Sequence, residues 1–256
     1  MKNILLILLS IIFFFSSNIS FETPSSKLFG GVPAKPGQFP YAVSLRDLNG
    51  THQCGGAILN NKWIITASHC IDNETVDTVK VTYGTIYNTG AEPLHSISKL
   101  IQHEKWRNMF DFKVDIGLVK VKCQIIFNAY VKPIKIYTGL IKSGDEGVVS
   151  GWGLDGISFW QPKVLQYLNV RFISYAQCRK FEPNLSRTIV CTEKKFGYGT
   201  CLADSGSPLV KDDKLVGLVL YSLDLQCAHY FPDGYLFVQK FIKWIKNNIQ
   251  GTQLID

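Results

Sequence analysis

Three short segments of the chain each carry one residue of a set that can perform nucleophilic catalysis. The segments are TASHC at 66–70, DIGL at 115–118 and CLADSGSP at 201–208. A serine hydroxyl is inert at its own pKa and needs an imidazole to accept its proton, and the imidazole needs a carboxylate that holds its tautomer and stabilises its cation. Each segment alone is common in proteins. Together, and in this chain order, His69, Asp115 and Ser205 predict a hydroxyl nucleophile activated by a histidine.

The elements that must hold these residues are mostly short strands. Runs rich in β-branched and aromatic residues recur with Gly, Asn and Pro between them, a pattern typical of a β-barrel or a β-sandwich. The predicted strands cover 41–45, 63–66, 79–83, 116–121, 147–150, 164–173 and 215–221. Only the C-terminal end is helical in pattern, with apolar residues at helical spacing from Val238 to Ile249 and lysines on the other, solvated side.

Composition and charge exclude several classes of protein. The chain has 256 residues, of which 46% are hydrophobic and 18% are charged, as in globular proteins and unlike disordered or fibrous ones. The net charge of +7 comes from scattered residues without a basic run, which argues against a nucleic-acid partner. No HExxH or CxxC motif occurs, and His52, His95, His103 and His229 lack the spacing of a metal site. We therefore expect no metal and no other cofactor.

The N-terminus has the pattern of an export signal. Lys2 precedes an apolar stretch at 4–15, which is too short to span a membrane and has the length of a signal-peptide core. We assign residues 1–20 to a signal peptide, with cleavage between 17 and 21, and expect a secreted, extracellular protein. No later stretch is long and apolar enough to span a bilayer, so we expect no membrane partner.

Export makes the cysteines candidates for disulfide bonds. The chain has seven of them, which are Cys54, Cys70, Cys123, Cys178, Cys191, Cys201 and Cys227. Seven cysteines predict three bridges and one unpaired residue, and the sequence alone does not fix the pairing. Asn49, Asn73 and Asn184 each begin an N-x-[ST] sequon, which predicts a glycoprotein.

Taken together, the motifs resemble those of secreted serine proteases of the trypsin and chymotrypsin family, of an invertebrate-like kind with three predicted disulfides. The order His, Asp, Ser is that of chymotrypsin and differs from that of subtilisin and the α/β-hydrolases. Further matches are KLFGG at 27–31, similar to an activation site, CGG at 54–56 with Trp63, similar to the first barrel hairpin, and GWG at 151–153, similar to the loop entering the second barrel. The resemblance implies an all-β fold of two six-stranded antiparallel β-barrels with a C-terminal α-helix, an active site between the barrels, and a peptidase domain at 28–256.

The same resemblance implies roles for named residues. Ser205 would attack the scissile carbonyl, His69 would act as general base and then general acid, and Asp115 would orient His69. The backbone N–H groups of Ala203 and Ser205 would form the oxyanion hole. Cys123 would be the odd cysteine, either buried and inert or joined to another chain. The implied disulfide pairs are Cys54 with Cys70, Cys178 with Cys191, and Cys201 with Cys227.

The resemblance also implies that the protein is made as a zymogen. Cleavage after Lys27 would remove a propeptide at 21–27 and free the α-amine of Leu28, which would pair with Asp204 in the interior. A buried amine is tolerable only with such a carboxylate partner. The mature protein would be a monomer that acts on protein or peptide substrates and is open to protein protease inhibitors.

Three residues near the site depart from the family pattern. Ala203 stands where the family pattern has a Gly, and the backbone conformation of that Gly is unfavourable for a residue with a Cβ. Leu220 replaces a Ser that supports the triad Asp, and Ser207 replaces a Gly that follows the nucleophile. Loss of one oxyanion donor costs on the order of 10²–10³ in turnover. The alternative to an active serine endopeptidase is therefore a weakly active or inactive homologue that binds partners or regulates other proteases.

The predicted substrate pocket is also unusual, and it comprises Gly199, Thr200, Leu220, Ser222 and Asp233. Trypsin-like pockets carry an Asp where this chain has Gly199, so strict cleavage after Lys or Arg is not expected. Asp233 replaces a usual Gly on the opposite wall, where it would either receive a basic side chain or pair locally and leave an apolar or narrow pocket. Shifting that alignment by one residue would put Gly234 on the wall instead, while Ser222 would narrow the entrance. We favour chymotrypsin-like or broad cleavage.

Overall fold

Short strands dominate the chain, as the sequence predicts. The structure is a computed structural model that describes residues 30–107, 112–154, 160–193, 197–222, 227 and 231–249. The predicted signal peptide, the propeptide and Leu28 lie outside the described residues. The strands are β1 (Val32–Pro33), β2 (Ala42–Arg46), β3 (His52–Ile58), β4 (Trp63–Thr66), β5 (Lys80–Tyr83), β6 (His95–Gln102), β7 (Gly117–Val121), β8 (Lys135–Ile136), β9 (Glu146–Gly151), β10 (Gln166–Ile173), β11 (Ile189–Thr192), β12 (Pro208–Lys211), β13 (Lys214–Ser222) and β14 (Asp233–Phe237). The α-helices are α1 (Tyr175–Cys178) and α2 (Ile242–Asn248), and 3₁₀ turns cover Ser68–Ile71, Phe112–Val114 and Val238–Phe241.

Six strands close the first barrel. Their order is β2, β3, β4, β7, β6, β5, and β5 pairs back to β2, with every pair antiparallel. Successive side chains of a strand point to opposite faces. In β4, accordingly, Ile64 packs with Val43 and Val81 inside this barrel, whereas Ile65 belongs to a second cluster outside it. Both faces of β4 are therefore buried.

The second barrel closes in the same way. Its strands follow the order β9, β10, β11, β14, β13, β12, and β12 pairs with β9. Val149, Phe172 and Tyr235 fill its interior, while β1 and β8 add to its outside through β10 and β13. The prediction of two six-stranded antiparallel barrels is confirmed. The GWG motif at 151–153 does not enter this barrel but leaves its first strand, because β9 ends at Gly151.

A hydrophobic cluster joins the two barrels. Ala57, Ile65 and Leu118 enter it from the first barrel, and Leu218 and Leu220 enter it from the second. Burial of apolar surface is worth roughly 25 cal/mol per Å², so this shared core holds the barrels against each other. Loops that lead into this contact are consequently held in place by both barrels.

The C-terminal segment packs on the barrels as a short helix. It begins with the 3₁₀ turn Val238–Phe241 and continues as α2. Val238, Phe241, Ile245 and Ile249 are buried, and the lysines of the segment are exposed, as the helical spacing predicts. Among the described residues, none of the helices combines the length and the apolar character needed to cross a membrane.

Three disulfides are present, with the pairing that the family resemblance implied. Cys54 is bonded to Cys70, Cys178 to Cys191, and Cys201 to Cys227. Cys123 is a free thiol and is exposed, because it follows the end of β7 at Val121. The alternative of a buried and inert Cys123 is therefore wrong, and its bonding to a second chain stays a prediction.

Candidate active site

The side chains of His69 and Asp115 contact each other directly. The distance from His69 Nδ1 to Asp115 Oδ2 is 2.6 Å, and the backbone N–H of His69 donates to Asp115 Oδ1 at 2.9 Å. Asp115 is fully buried, whereas the His69 side chain is 19% exposed. Because a carboxylate only accepts, Nδ1 carries the proton and Nε2 is left as the nitrogen that can take a proton from a nucleophile.

Two neighbouring strand ends position this pair. His69 lies in the 3₁₀ turn Ser68–Ile71 directly after β4, and Asp115 stands just before β7. The pairing of Thr66 with Gly117 sets these two ends side by side. The Ser68 hydroxyl adds a second tie, since it donates to the carbonyl oxygen of Ile116 at 2.6 Å.

Ser205 lies where the second barrel meets the first. Its carbonyl oxygen accepts from the backbone N–H of Gly55 in β3 at 2.8 Å. The next residue, Gly206, has a φ of +76°, and a Cβ there would clash with the Thr66 hydroxyl and the Gly55 carbonyl oxygen. Glycine at this position therefore lets the Ser205 turn pack against the strand end that leads into His69.

The structure thus brings the three residues predicted for the triad to one contact between the barrels. Ser205 and His69 are both described, and no hydrogen bond joins the Ser205 hydroxyl to the His69 ring. Hydrogen bonds of this kind are often long or poorly aligned in the absence of substrate and tighten in the complex. The imidazole and the carboxylate are therefore paired, while the contact between nucleophile and base is not formed in this state.

The turn at 203–206 presents two backbone N–H groups to which none of the described residues offers an acceptor. In the part of the chain that the structure describes, the N–H groups of Ala203 and Ser205 have no hydrogen-bond partner. Those of Asp204, Gly206 and Ser207 donate to the carbonyl oxygens of Cys201, Val219 and Asp204, at 3.1, 2.7 and 2.9 Å. Two unoccupied donors in one tight turn can bind the oxygen of a tetrahedral intermediate.

Ala203 adopts the conformation that its Cβ is expected to resist. Its φ is +69°, in the left-handed region that costs a non-glycine residue about 1–2 kcal/mol. His52 lies next to it, and the Nε2–H of His52 donates to the Ala203 carbonyl oxygen at 3.0 Å. Burial lowers the pKa of His52 to about 4, so the ring is neutral at pH 7. Nothing in the local sequence around His52 signals this contact, because it joins residues 151 positions apart.

Asp204 is a buried carboxylate held by backbone donors. Oδ1 accepts from the N–H of Gly153 at 2.8 Å, and Oδ2 accepts from the N–H of Cys201 at 3.0 Å. Burial raises the pKa of Asp204 to about 7. None of the described Lys, Arg or His side chains forms an ion pair with it. Leu28, its expected partner, lies outside the described residues.

Three of the five predicted pocket residues come together. Asp233 is buried, and its Oδ2 accepts from the backbone N–H of Thr200 at 2.8 Å. On the paired strands β13 and β14, Asp233 stands opposite Ser222. Gly199 precedes Thr200 in the chain, whereas the Leu220 side chain lies in the cluster between the barrels. The contact between Asp233 and Thr200 is a local pairing, and the choice between Asp233 and Gly234 for the pocket wall stays a prediction.

Ser207 adds an unusual polar group behind the nucleophile. The residue is 1% exposed, and its hydroxyl has no hydrogen-bond partner among the described residues. A buried hydroxyl without a partner costs about 1–3 kcal/mol. We find no chemical role for it in the geometry of the site.

Metal binding at the site is disfavoured by the disulfide next to it. Cys54, His69 and Cys70 place potential ligand atoms within 4.8 Å of one another. The two sulfurs are bonded to each other, however, and a metal-binding cysteine must be a thiolate. Among these described residues, the Cys54–Cys70 disulfide therefore cross-links the chain next to His69.

Comparisons with known proteins agree with this geometry. Residues 28–245 match the family described as Trypsin. The chain is 32% identical over 222 residues to chymotrypsin-2 of Vespa crabro, covering 86% of this chain and 99% of that protein. It is 29% identical over 230 residues to serine protease SP24D of Anopheles gambiae, covering 88% and 82%. Among solved structures, it resembles neuropsin, a serine protease expressed in the limbic system of mouse brain, with a TM-score of 0.78, 26% identity, and coverage of 86% of this chain and 99% of that one.

The family match covers most of the chain, and the matched residues include both barrels and the three triad segments. The chain therefore belongs to the trypsin family of serine proteases and is a serine endopeptidase.

Proposed function

We propose that Ser205 is the nucleophile of this endopeptidase, with His69 as its base and Asp115 as the group that orients the base. The observation that carries the proposal is the 2.6 Å contact between His69 Nδ1 and Asp115 Oδ2, beside a turn whose two N–H groups lack acceptors among the described residues. A buried carboxylate on Nδ1 stabilises the imidazolium that forms when Nε2 takes a proton.

The reaction would proceed in two stages. Ser205 Oγ bonds to the scissile carbonyl carbon as its proton moves to His69 Nε2, and the resulting oxyanion accepts from the N–H groups of Ala203 and Ser205. Collapse expels the amine, which takes the proton from His69 and leaves an acyl-enzyme. Water then repeats the sequence and releases the acid, with His69 again accepting and returning one proton.

We propose that export and zymogen activation precede this activity. Support comes from the apolar stretch at 4–15, from three disulfides, and from the buried carboxylate of Asp204, which has no cationic partner among the described residues. Cleavage after Lys27 would supply the α-ammonium group of Leu28 as that partner. The mature enzyme would act as a monomer on protein or peptide substrates and would be subject to protein inhibitors.

We propose chymotrypsin-like or broad cleavage. Gly199 offers no carboxylate at the base of the pocket, and Asp233 holds its carboxylate at the side, against the N–H of Thr200. Large apolar side chains would be accepted at the cleavage site, and basic ones would be accepted through Asp233.

Cleavage of a peptide library by wild type and by Asp233→Gly tests this specificity. We expect Asp233→Gly to lose cleavage after Lys and Arg and to keep cleavage after Phe, Tyr and Leu. A wild-type enzyme restricted to Lys and Arg would contradict it.

The catalytic assignment is tested with a chromogenic ester substrate. The expected result is a burst of one product molecule per active enzyme, because acylation of Ser205 precedes slower deacylation. Ser205→Ala should abolish the burst, and Asp115→Asn should lower kcat on the order of 10⁴ because His69 would be left in the wrong tautomer. A burst that survives in Ser205→Ala would contradict the assignment. A wild type without turnover would favour the alternative of a binding or regulatory homologue.

A further inference from the structure

Arg46 is a buried arginine at the centre of a hydrogen-bonded network close to the active site. It ends strand β2 and is 1% exposed. Its Nη1 donates to Glu92 Oε2 at 2.6 Å and to the Gly50 carbonyl oxygen at 3.2 Å, and its Nη2 donates to the Tyr87 carbonyl oxygen at 3.3 Å. Its Nε donates to the Ser44 hydroxyl at 3.0 Å. The proposed catalytic steps use none of these groups.

The network continues from Ser44 to the turn at 203–206, whose N–H groups would form the oxyanion hole. Ser44 Oγ lies 2.7 Å from His52 Nδ1, and His52 Nε2 lies 3.0 Å from the Ala203 carbonyl oxygen. Because a carbonyl oxygen only accepts, Nε2 carries the proton of the neutral ring and Nδ1 accepts from the Ser44 hydroxyl. Ser44 then has a lone pair left for the Nε–H of Arg46. Each hydrogen bond in the series from Arg46 to Ala203 therefore has a defined donor and a defined acceptor.

Glu92 fixes the other end of the network. It accepts from Arg46 and also from the backbone N–H and the hydroxyl of Thr89, at 2.9 and 2.7 Å. Burial tends to raise the pKa of Glu92, but these hydrogen bonds outweigh it and lower the pKa to about 2. The buried guanidinium therefore faces a carboxylate that stays ionised at neutral pH, which holds Arg46 in a single position.

We propose that Arg46 and Glu92 are positioning residues for the oxyanion hole, acting through Ser44 and His52 on the Ala203 carbonyl oxygen. The proposal rests on the role of the Ala203 N–H in the proposed function. Ala203 needs this support because its φ of +69° is unfavourable for a residue with a Cβ. A carbonyl oxygen held by His52 opposes rotation of the residue out of this conformation, and such a rotation would turn the N–H away from the oxyanion.

A purely structural role for Arg46 would have different consequences. The bonds to Gly50 and Tyr87 also anchor the loops that follow β2 and β5, so any loss of Arg46 lowers stability. The distinguishing residue is Ala203. With glycine at 203, the left-handed conformation carries no Cβ penalty, and support from His52 becomes less important. Loss of loop anchoring would be the same with either residue at 203.

The test is a double-mutant cycle on kcat and KM with a peptide substrate. Arg46→Lys keeps the charge but loses the Nε–H, and it should lower kcat about 10-fold to 100-fold with little change in KM, because a small misplacement of a transition-state donor has effects of this size. In the Ala203→Gly background the same substitution should lower kcat less than threefold. Arg171→Lys, whose ion pair with Glu146 is exposed, is the matched control and should leave kcat unchanged. An equal loss of kcat in both backgrounds would overturn the proposal.

Two further measurements keep the proposal testable if Arg46→Lys fails to fold or if the wild type is inactive. Ser44→Ala interrupts the network without removing a charge. Like Arg46→Lys, it should lower kcat when residue 203 is Ala and lower it less in the Ala203→Gly background. In protein labelled with ¹⁵N-alanine, the Ala203 amide signal should shift in Arg46→Lys or Ser44→Ala and stay in place in Arg171→Lys. This signal reports the orientation of residue 203 without any need for catalysis. An unshifted Ala203 amide would overturn the proposal, whereas an inactive wild type with a shifted amide would refute the proposed function alone.

Discussion

At the scale of single residues, Ala203 shows what a departure from a family pattern costs. The substitution suggests a lost oxyanion donor, yet Ala203 has a φ of +69° and leaves its N–H without an acceptor among the described residues. We therefore expect the substitution to cost stability rather than to remove the donor. His52 helps to hold the residue through the Ala203 carbonyl oxygen.

Ala203→Gly should stabilise the protein by about 1 kcal/mol, because relief of the left-handed strain outweighs the greater freedom of glycine in the unfolded chain. Thermal unfolding of the Ser205→Ala form, which prevents self-digestion, measures the change as a rise in Tm of about 2–4 °C. Ala91→Gly is the control, since Ala91 is exposed and is not among the residues with positive φ. Ala91→Gly should lower the free energy of unfolding slightly. If Ala203→Gly lowered it by the same amount, the proposed strain at residue 203 would be contradicted.

His52 predicts a dependence of stability on pH. Its pKa is about 4 in the folded protein and ordinarily 6.5, so the unfolded chain binds the extra proton and stability falls as pH drops from about 6.5 to 4. Asp204, with a pKa of about 7, has the opposite sign between pH 7 and 4 in the uncleaved protein. The measurement is therefore the difference in unfolding free energy between wild type and His52→Gln. It should shrink by about 3 kcal/mol between pH 7 and pH 4. A difference that does not change with pH would show that folding leaves the pKa of His52 unshifted, and would contradict the prediction.

At the scale of elements, the site is made from strand ends that barrel closure brings together. Thr66 and Gly117 pair at the ends of β4 and β7, which sets His69 beside Asp115. Gly55 in β3 then binds the Ser205 carbonyl oxygen and fixes the second barrel's turn to the first barrel. Each contact involves backbone groups, so the positions of the site residues depend on the register of the strands.

Gly206→Ala should disable this junction. A Cβ at 206 would meet the Thr66 hydroxyl and the Gly55 carbonyl oxygen, and the backbone cannot yield without moving Ser205. We expect a loss of several kcal/mol in stability and a loss of activity. Gly144→Ala is the matched control, because Gly144 also has a positive φ, +88°, but a Cβ added there would meet no atom of another part of the described chain within 4 Å. It should cost about 1 kcal/mol and leave activity intact, and equal effects at both sites would contradict the packing argument.

The sequence predicts the elements that have a strong local pattern and misses those that depend on distant contacts. The strand predicted at 63–66 has the bounds of β4, and the C-terminal helix has its predicted buried face. The pattern of residues does not predict strands β1, β3, β6, β8, β11, β12 and β14, because they are short or interrupted by polar residues or glycines and become strands only through their neighbours. The contacts of Arg46 with Glu92 and of His52 with Ala203 also escape prediction, since residues far apart in the chain form them.

At the scale of the whole molecule, the proposed activation depends on a buried carboxylate near the contact between the two barrels. The cluster between the barrels includes Ala67 and Ile116, which lie within two residues of His69 and Asp115. Asp204 lies buried in the turn at 203–206 without a cationic partner among the described residues. A carboxylate in that position favours a conformation in which a cation reaches it. The α-amine of Leu28 would be that cation after cleavage.

Cleavage after Lys27 should therefore raise activity on the order of 10² or more, the effect expected for completing an oxyanion hole. Treatment with trypsin, followed by intact mass and an ester assay, measures the change. Lys27→Gln should resist the cleavage and stay at the level of the precursor. Full activity in the Lys27→Gln protein would show that Asp204 needs no new amine.

The central claim is that Ser205 is an activated nucleophile beside a formed oxyanion hole. The most direct measurement is labelling of the protein, cleaved after Lys27, with a fluorophosphonate probe, followed by intact mass. We expect a single adduct in the wild type, located on Ser205 by peptide mapping, and none in Ser205→Ala. A folded protein with a free Leu28 terminus and no adduct would contradict the claim.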